Sequence, residues 1–218
     1  MFRDILPDPD FPIGLGGATG AIEGPGFASL SLSSDESIMK FRANSQKTER
    51  DAGSYHKWVI DINYNPMECN EFHTILTFLI HRQATLQSFY VGLPQYKNQD
   101  IPDATLSQTG ARKDSTILVN GTGINAGAIF TAANHTKVYK VSRVETAAEY
   151  LTASDSPGAG KSRLHITPSV QKEIPGGTPI TFTDVLFNVV QVGDTTGYSL
   201  GKDGLFTYNL KLEEAYAS

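Results

Sequence analysis

Between Ser54 and Leu93 the spacing of hydrophobic and polar positions changes period twice. Trp58, Ile60, Ile62 and Tyr64 fall on one face of a period-two pattern, with Asp61 and Asn63 on the other. That alternation predicts a half-buried strand. Phe72, Ile75, Leu76, Leu79 and Ile80 then recur at helical spacing and predict one amphipathic helix laid on the sheet. Asn65 fits as its N-cap and Pro66 as its first helical residue, and Glu68 completes an Asn-x-x-Glu capping box. Leu86 to Leu93 restarts the strand pattern. The unit strand–helix–strand is a packing device, and its residues offer no recognisable catalytic chemistry.

Outside this unit the pattern is weaker. Residues 1–26 are rich in Gly and Pro and read as an extended arm, ordered only where something else holds it. Residues 27–44 predict one or two strands, and residues 45–53 a polar turn or loop. Residues 94–116 are polar and aperiodic. Beyond them, strands are predicted at 115–119, 127–130, 137–144, 162–167, 179–183 and 185–192. Asn120-Gly121, Asn134-His135, Ser156-Pro157-Gly158 and Pro175-Gly176-Gly177 supply the turns between them. Six short strands with Gly-rich joints predict a small barrel or sandwich. Residues 194–203 read as a loop. A last strand, Leu205–Glu214, repeats the alternation of Trp58–Tyr64 and is placed back in the first sheet. The resulting organisation is an arm at 1–26, a first domain at 27–94 and 195–218, and an inserted β-barrel module at 95–194. The fold class is mainly β (α+β), with one flanking helix.

Composition narrows this picture. A chain of 218 residues with 39% apolar and 19% charged residues can bury a real core and is not a disordered chain. No apolar run approaches the roughly 20 residues of a membrane helix. The start, MFRDILPDPDFPIG, has no apolar segment of signal-peptide length, so no secretory signal is expected. Cys69 is the only cysteine, which rules out an internal disulfide and a Cys-rich zinc site. The net charge of −5 argues against wrapping nucleic acid, yet suits a channel wall that phosphate slides past. Residues 94–193 carry nine Lys and Arg against eight Asp and Glu, whereas the remainder carries nine against fifteen. The acidity therefore belongs to the first domain.

Several short motifs suggest chemistry and are read otherwise. Gly158-Ala159-Gly160-Lys161-Ser162 ends like a phosphate-binding loop, but Asp155 stands where the first glycine is needed. The following residues pattern as a strand rather than a helix, so a hairpin turn is expected. Gly14–Gly20 lacks a preceding strand and has Thr19 in place of the third glycine of a dinucleotide fingerprint. The histidines, at 56, 73, 81, 135 and 165, form no metal-binding pair and are expected at solvent or at an interface. Asn120-Gly121-Thr122 and Asn134-His135-Thr136 fit the glycosylation triplet but read as turns. The adjacent acids Asp35-Glu36 and Glu213-Glu214 point to opposite faces of a strand, so neither is a general acid–base couple. The aromatic set is assigned mainly to the core. No catalytic, cofactor-binding or metal-ligating residue is expected.

The run His56-Lys57-Trp58, Tyr64-Asn65-Pro66-Met67, Glu71-Phe72 and Phe78-Leu79, with the aromatic strand Phe89–Pro94, resembles tail and baseplate proteins of tailed bacteriophages. The insertion is similar to a module of such proteins in Gly127–Phe130, His135–Val141, Leu164–Pro168 and Gly177–Ile180. Gly204-Leu205-Phe206 through Tyr208 to Glu213-Glu214 resembles their closing strand. The resemblance covers about two thirds of the chain and leaves out the arm at 1–26. It implies a tail-tube-like β-sandwich or split barrel in a hexameric ring of a distal-tail or baseplate protein. The expected partners are further copies of the chain and other tail-tube and baseplate proteins, with DNA passing through the channel unbound. The expected location is the virion, after synthesis in the host cytoplasm. The alternative is a carbohydrate-binding adsorption module, in which the inserted barrel stacks sugar on Tyr139 and Tyr150.

Overall fold

The structure is a computed structural model that describes residues 4–8, 24–42, 48–83, 85–96, 99–147, 156–193 and 197–215; for 37–41 and 48–54 it describes the backbone alone. The fold is mainly β, of the α+β class, with thirteen strands and one α-helix among the described residues. In chain order these are β1 Phe27–Arg42, β2 Thr48–Tyr64, α1 Cys69–His81, β3 Phe89–Gly92, β4 Ala104–Leu106, β5 Thr116–Asn120 and β6 Ile129–Ala132. There follow β7 Val138–Thr146, β8 Lys161–Thr167, β9 Pro179–Thr181, β10 Leu186–Gln191, β11 Ser199–Leu200, β12 Phe206–Thr207 and β13 Asn209–Glu214. The chain divides into two compact units, one holding the described residues up to Val91 together with Asn188–Ala215, the other Gly92–Phe187.

The first unit is built on a five-stranded sheet in the order β1-β2-β13-β10-β3. β2 is its central reference, with Ile60 and Ile62 opposite Leu32 and Leu30 on one side and Leu212 and Leu210 on the other. Trp58, Ile60, Ile62 and Tyr64 are all buried, as their alternation predicts. α1 covers this apolar face: Phe72 stacks on Phe206 with centroids 4.5 Å apart, and Phe78 meets Phe89 edge-on at 5.3 Å. The helix buries Phe72, Ile75, Phe78 and Leu79. Ile80, predicted on the buried stripe, is 62% exposed.

The helix begins later than its spacing predicts. Met67 exchanges backbone hydrogen bonds with Phe206, so Asn65–Met67 runs extended and Pro66 is not in the helix. Glu68 takes the N-cap position, and its N–H donates to the Glu71 carboxylate at 3.2 Å. A long-range bridge outweighs a good local capping signal here. The polar stretch predicted as a loop at 45–53 is also corrected: strand β2 starts at Thr48 and pairs with β1 out to Arg42. The segment Gln46–Ser54 is mostly polar in sequence, so it shows no apolar alternation to read. Of the predicted arm, residues 4–8 lie on the open edge of β3: Leu6 N–H donates to Tyr90 O at 2.8 Å and Tyr90 N–H to Asp4 O at 2.6 Å. Leu6 is buried, and Asp4 pairs with Arg82 at the end of α1. Gly24 packs against this segment so closely that a Cβ would sit 2.4 Å from the Pro7 backbone. The remainder of the arm, including Gly14–Gly20, lies outside the described residues.

The second unit is a closed barrel in the order β4-β5-β8-β7-β6-β9. Its interior holds Leu106, Ile117, Val119, Phe130, Tyr139, Val141, Leu164, Ile166 and Ile180. The membership differs from the predicted six strands in one exchange. β10 pairs with β13 in the first sheet, not in the barrel, so the predicted module boundary at 194 is too late. The barrel is instead closed by β4, a strand of three residues that pairs with both β5 and β9. The predicted last strand is likewise divided: Phe206–Thr207 pairs with Ser199–Leu200, and only Asn209–Glu214 rejoins the sheet. Gly158-Ala159-Gly160 is a turn opening β8, as expected, and φ is +93° at Gly158 and +71° at Gly160. Those angles are where glycine costs least.

Trp58 is the chain's only tryptophan and lies buried in β2, so its fluorescence reports on the first unit. Phe72→Ala removes the ring between helix and sheet, and we expect it to destabilise this unit by about 3–5 kcal/mol. Urea unfolding followed at Trp58 checks the value.

Candidate functional site

Two features of the first unit are suited to contact with other molecules. The first is the β1–β2 ribbon. β13 pairs with β2 only over Val59–Asn63, whereas β1 and β2 stay paired from Phe27–Tyr64 out to Arg42–Thr48. Beyond the irregularity between Glu36 and Ile38 the ribbon has no third strand among the described residues. That part extends roughly 20 Å at strand rise. β1 is also an edge strand along its full length, with no described strand on its outer side.

The second is the solvent face of the same sheet. Ser29, Ser31, Ser33 and Asp35 of β1 lie beside Asn63, Asp61, Val59 and Lys57 of β2, and Asn209, Lys211 and Glu213 of β13 continue the rows. Lys57 bonds to the Glu213 carboxylate and lies 3.8 Å from Asp35. The hydrogen bond to Glu213 raises the Lys57 pKa above the ordinary lysine value, against the opposing effect of burial. Lys211 stands 4.0 Å from Asp61, and Asn63 Nδ2 donates to Ser29 Oγ at 2.9 Å. The face is thus a smooth polar surface whose lysines are each matched to acids. Close to α1 the picture is different: Ile80 and Leu86 are 62% and 73% exposed, apolar surface that α1 does not use on its own sheet.

In the barrel, side-chain groups expected at the surface turn out to be internal. Tyr139, proposed as a sugar platform, is fully buried and stacks on Phe130 at 5.4 Å. It cannot present its ring face to a ligand. Tyr150 lies outside the described residues. His135 is drawn into the same network. Asn134 Nδ2 donates to Glu173 O at 2.8 Å, which turns Asn134 Oδ1 toward His135 Nδ1 at 2.7 Å. The proton therefore sits on Nδ1, and Nε2 accepts the Tyr139 hydroxyl at 2.8 Å. Gln171 N–H donates to the Tyr139 oxygen at 3.2 Å. Burial, with Lys172 and Lys137 nearby, lowers the His135 pKa to about 4.

The histidines thus divide. His73 and His81 are exposed, as predicted for the set. His56 is instead buried, with Ser34 Oγ at 3.0 Å and an edge contact to Trp58. His165 is half-buried on β8, 2.9 Å from Glu145 Oε1. Cys69 is exposed at the first residue of α1. Asn120 and Asn134 have their side-chain amides engaged with Thr105 and with the Glu173 carbonyl. Among the described residues no three His, Cys, Asp or Glu side chains gather as a metal site, and no helix is long and apolar enough to cross a membrane. The ribbon and the outward position of Glu145 were not predicted; the two-residue periodicity of β7 breaks at a bulge between Val141 and Arg143, and a bulge leaves no mark in composition. No protein-family model and no curated protein matches the chain.

The His135 network has a pH signature. Folded His135 stays neutral down to about pH 4, whereas in the unfolded chain it takes a proton near 6.5. The unfolded state binds more protons in that window, so this contribution to stability is present above pH 6.5 and is lost as pH falls toward 4. Denaturant titrations of wild type and His135→Gln at steps from pH 7 to 4 should show the wild-type barrel losing more stability than the variant.

Proposed function

We propose that the chain is a structural subunit of a bacteriophage tail, part of a hexameric ring that joins the tail tube to the baseplate around the DNA channel. The supporting observation is the β1–β2 ribbon with its open edge. A two-stranded ribbon is at best marginally stable alone in water, and a long unpaired edge is a template for another strand. Such a ribbon finds its stabilisation on a neighbouring subunit. A contact between two different surfaces of identical subunits closes into a ring when the rotation per subunit permits. Ile80 and Leu86 offer the same unit apolar surface for a neighbour.

The polar sheet face supports the same reading. Its exposed side chains are serine, asparagine and charges already matched within the face. A surface of this kind gives phosphate no unpaired cation to hold it, as a conduit for DNA requires. In this reading the partners are further copies of the chain and adjoining tail proteins, and the protein has no catalytic role.

The test is mass photometry across concentration, with negative-stain images of the same sample. Rings with a central hole of duplex width are the expected result. Replacing residues 37–55 with an Asn-Gly turn should abolish the rings while leaving Trp58 buried. A protein that stays monomeric at high concentration, from a phage whose tails assemble normally without it, would sink the proposal.

A further inference from the structure

The outer wall of the barrel carries a cleft that the ring reading does not use. It measures about 410 Å³ and lies over β5 and β8. Thr116, Lys161 and Arg163 are among its strand-borne lining, and Gln108, Asp114 and Ser156 also line it. The volume lies in the lower part of the roughly 300–1,000 Å³ range of ligand sites.

The site is held by the barrel ladder. Thr116 pairs with His165, Leu118 with Arg163 and Asn120 with Lys161 across β5 and β8. The 107–114 loop that forms one wall is tied down by backbone bonds: Ser107 N–H to Leu118 O, Gly110 to Ile174 in both directions, and Lys113 N–H to Val170 O. Gly110 lets that loop lie on the barrel, since a Cβ there would meet Ile117 Cγ2 at 3.3 Å. Asp114 Oδ2 accepts from Ala111 N–H at 2.8 Å and fixes the turn. Arg163 is positioned from the far side by the buried Glu145, whose Oε2 it meets at 3.2 Å; Arg143 and His165 approach the other oxygen at 3.4 and 2.9 Å.

Lys161 differs from these groups. It is half-buried in the cleft, in line with Arg163 on the same face of β8, and its ammonium has no hydrogen bond or ion pair among the described residues. The two cations stand roughly 7 Å apart along the strand. The Gly158–Gly160 turn delivers the lysine there: its positive-φ glycines reverse the chain and start β8 at Lys161 itself. The cleft's one described carboxylate, Asp114, is engaged by Ala111 N–H, so two cations outnumber one acid in a concave, polar site, which favours an anionic partner.

We propose that this cleft binds an anionic saccharide, a glycan bearing phosphate or carboxylate groups, with Lys161 meeting the charge and Arg163 beside it. The lining residues exclude nearby alternatives. No aromatic ring lines the cleft, so a neutral sugar has no stacking platform. The barrel is closed, so an extended peptide finds no strand edge to extend. The hydroxyl and amide groups suit a polyhydroxylated ligand, and the cations supply selection by charge. This inference does not depend on ring formation and is tested on the free protein.

The experiment is isothermal titration of the full chain at low salt with four probes of similar length: oligogalacturonate, a phosphomannan oligosaccharide, a neutral dextran oligosaccharide and oligoglutamate. Binding of either charged saccharide, weakened by salt, with no heat from dextran or oligoglutamate, is the expected pattern; which one binds identifies carboxylate or phosphate. Lys161→Ala should weaken that binding about tenfold or more, the worth of one charge-assisted hydrogen bond. Thr116→Tyr should block it by filling the cleft, while Lys211→Ala removes an equal charge from the first unit and should leave it unchanged. Silence from both charged saccharides, equal binding of oligoglutamate or dextran, or an unaltered Lys161→Ala affinity would each overturn the assignment.

Discussion

Unpaired backbone groups at strand edges are the constraint around which the rest of this structure is arranged. Each edge strand carries a row of N–H and C=O groups that must meet a partner or water. The chain meets this requirement in two ways. The barrel has no edge because β4 joins β5 to β9. The β3 edge of the first sheet is covered by residues 4–6, seated by Leu6 and by the Asp4–Arg82 pair. The β1 edge of that sheet has no described cover. A chain that closes one sheet and caps one edge of the other has the means to protect the third edge. On the ring reading proposed above, that edge is where a neighbouring subunit docks.

β2 shows how the same ladder separates packing from contact. Its inward residues Trp58, Ile60, Ile62 and Tyr64 are buried, and its outward residues Lys57, Asp61 and Asn63 form the polar rows. At its far end the strand pairs with β1 alone among the described strands. One strand is thus core element, surface and projecting arm in succession. The register that fixes the first of these fixes the others, since a slip of one residue would turn every side chain to the opposite face.

The sequence announces those parts whose burial leaves a period. Trp58–Tyr64, the helical stripe at Phe72, Ile75 and Leu79, and the return of the last strand to the first sheet all follow from apolar spacing, and the structure contains them. Strand β4 is too short to display a period, and the outer part of β2 is polar in sequence. The start of α1 was misplaced because Asn65-Pro66 is a sound local capping signal, and only the Met67–Phe206 bridge, 139 residues apart in sequence, overrides it. The candidate cleft was half legible. Gly160-Lys161-Ser162 stood out as a motif, and its reading as a turn was right. What the spacing could not supply was the other side of the site, because Thr116 and Arg163 meet only through barrel closure.

The two units differ in how their cations are paired. On the sheet face each lysine stands beside carboxylates, and the part of the chain outside residues 94–193 carries six more acids than bases. In the barrel segment acids and bases nearly balance, and the Lys161 ammonium has no partner among the described residues. Screening confines each of these fields to about 8 Å at physiological salt, so local pairing rather than the net charge of −5 decides what each surface attracts. A surface with all its cations satisfied lets a phosphate backbone pass. A cleft with one cation unsatisfied retains a short anionic ligand. The lysines of the sheet face are paired across strands, whereas Lys161 follows a glycine turn and its ammonium meets no carboxylate among the described residues.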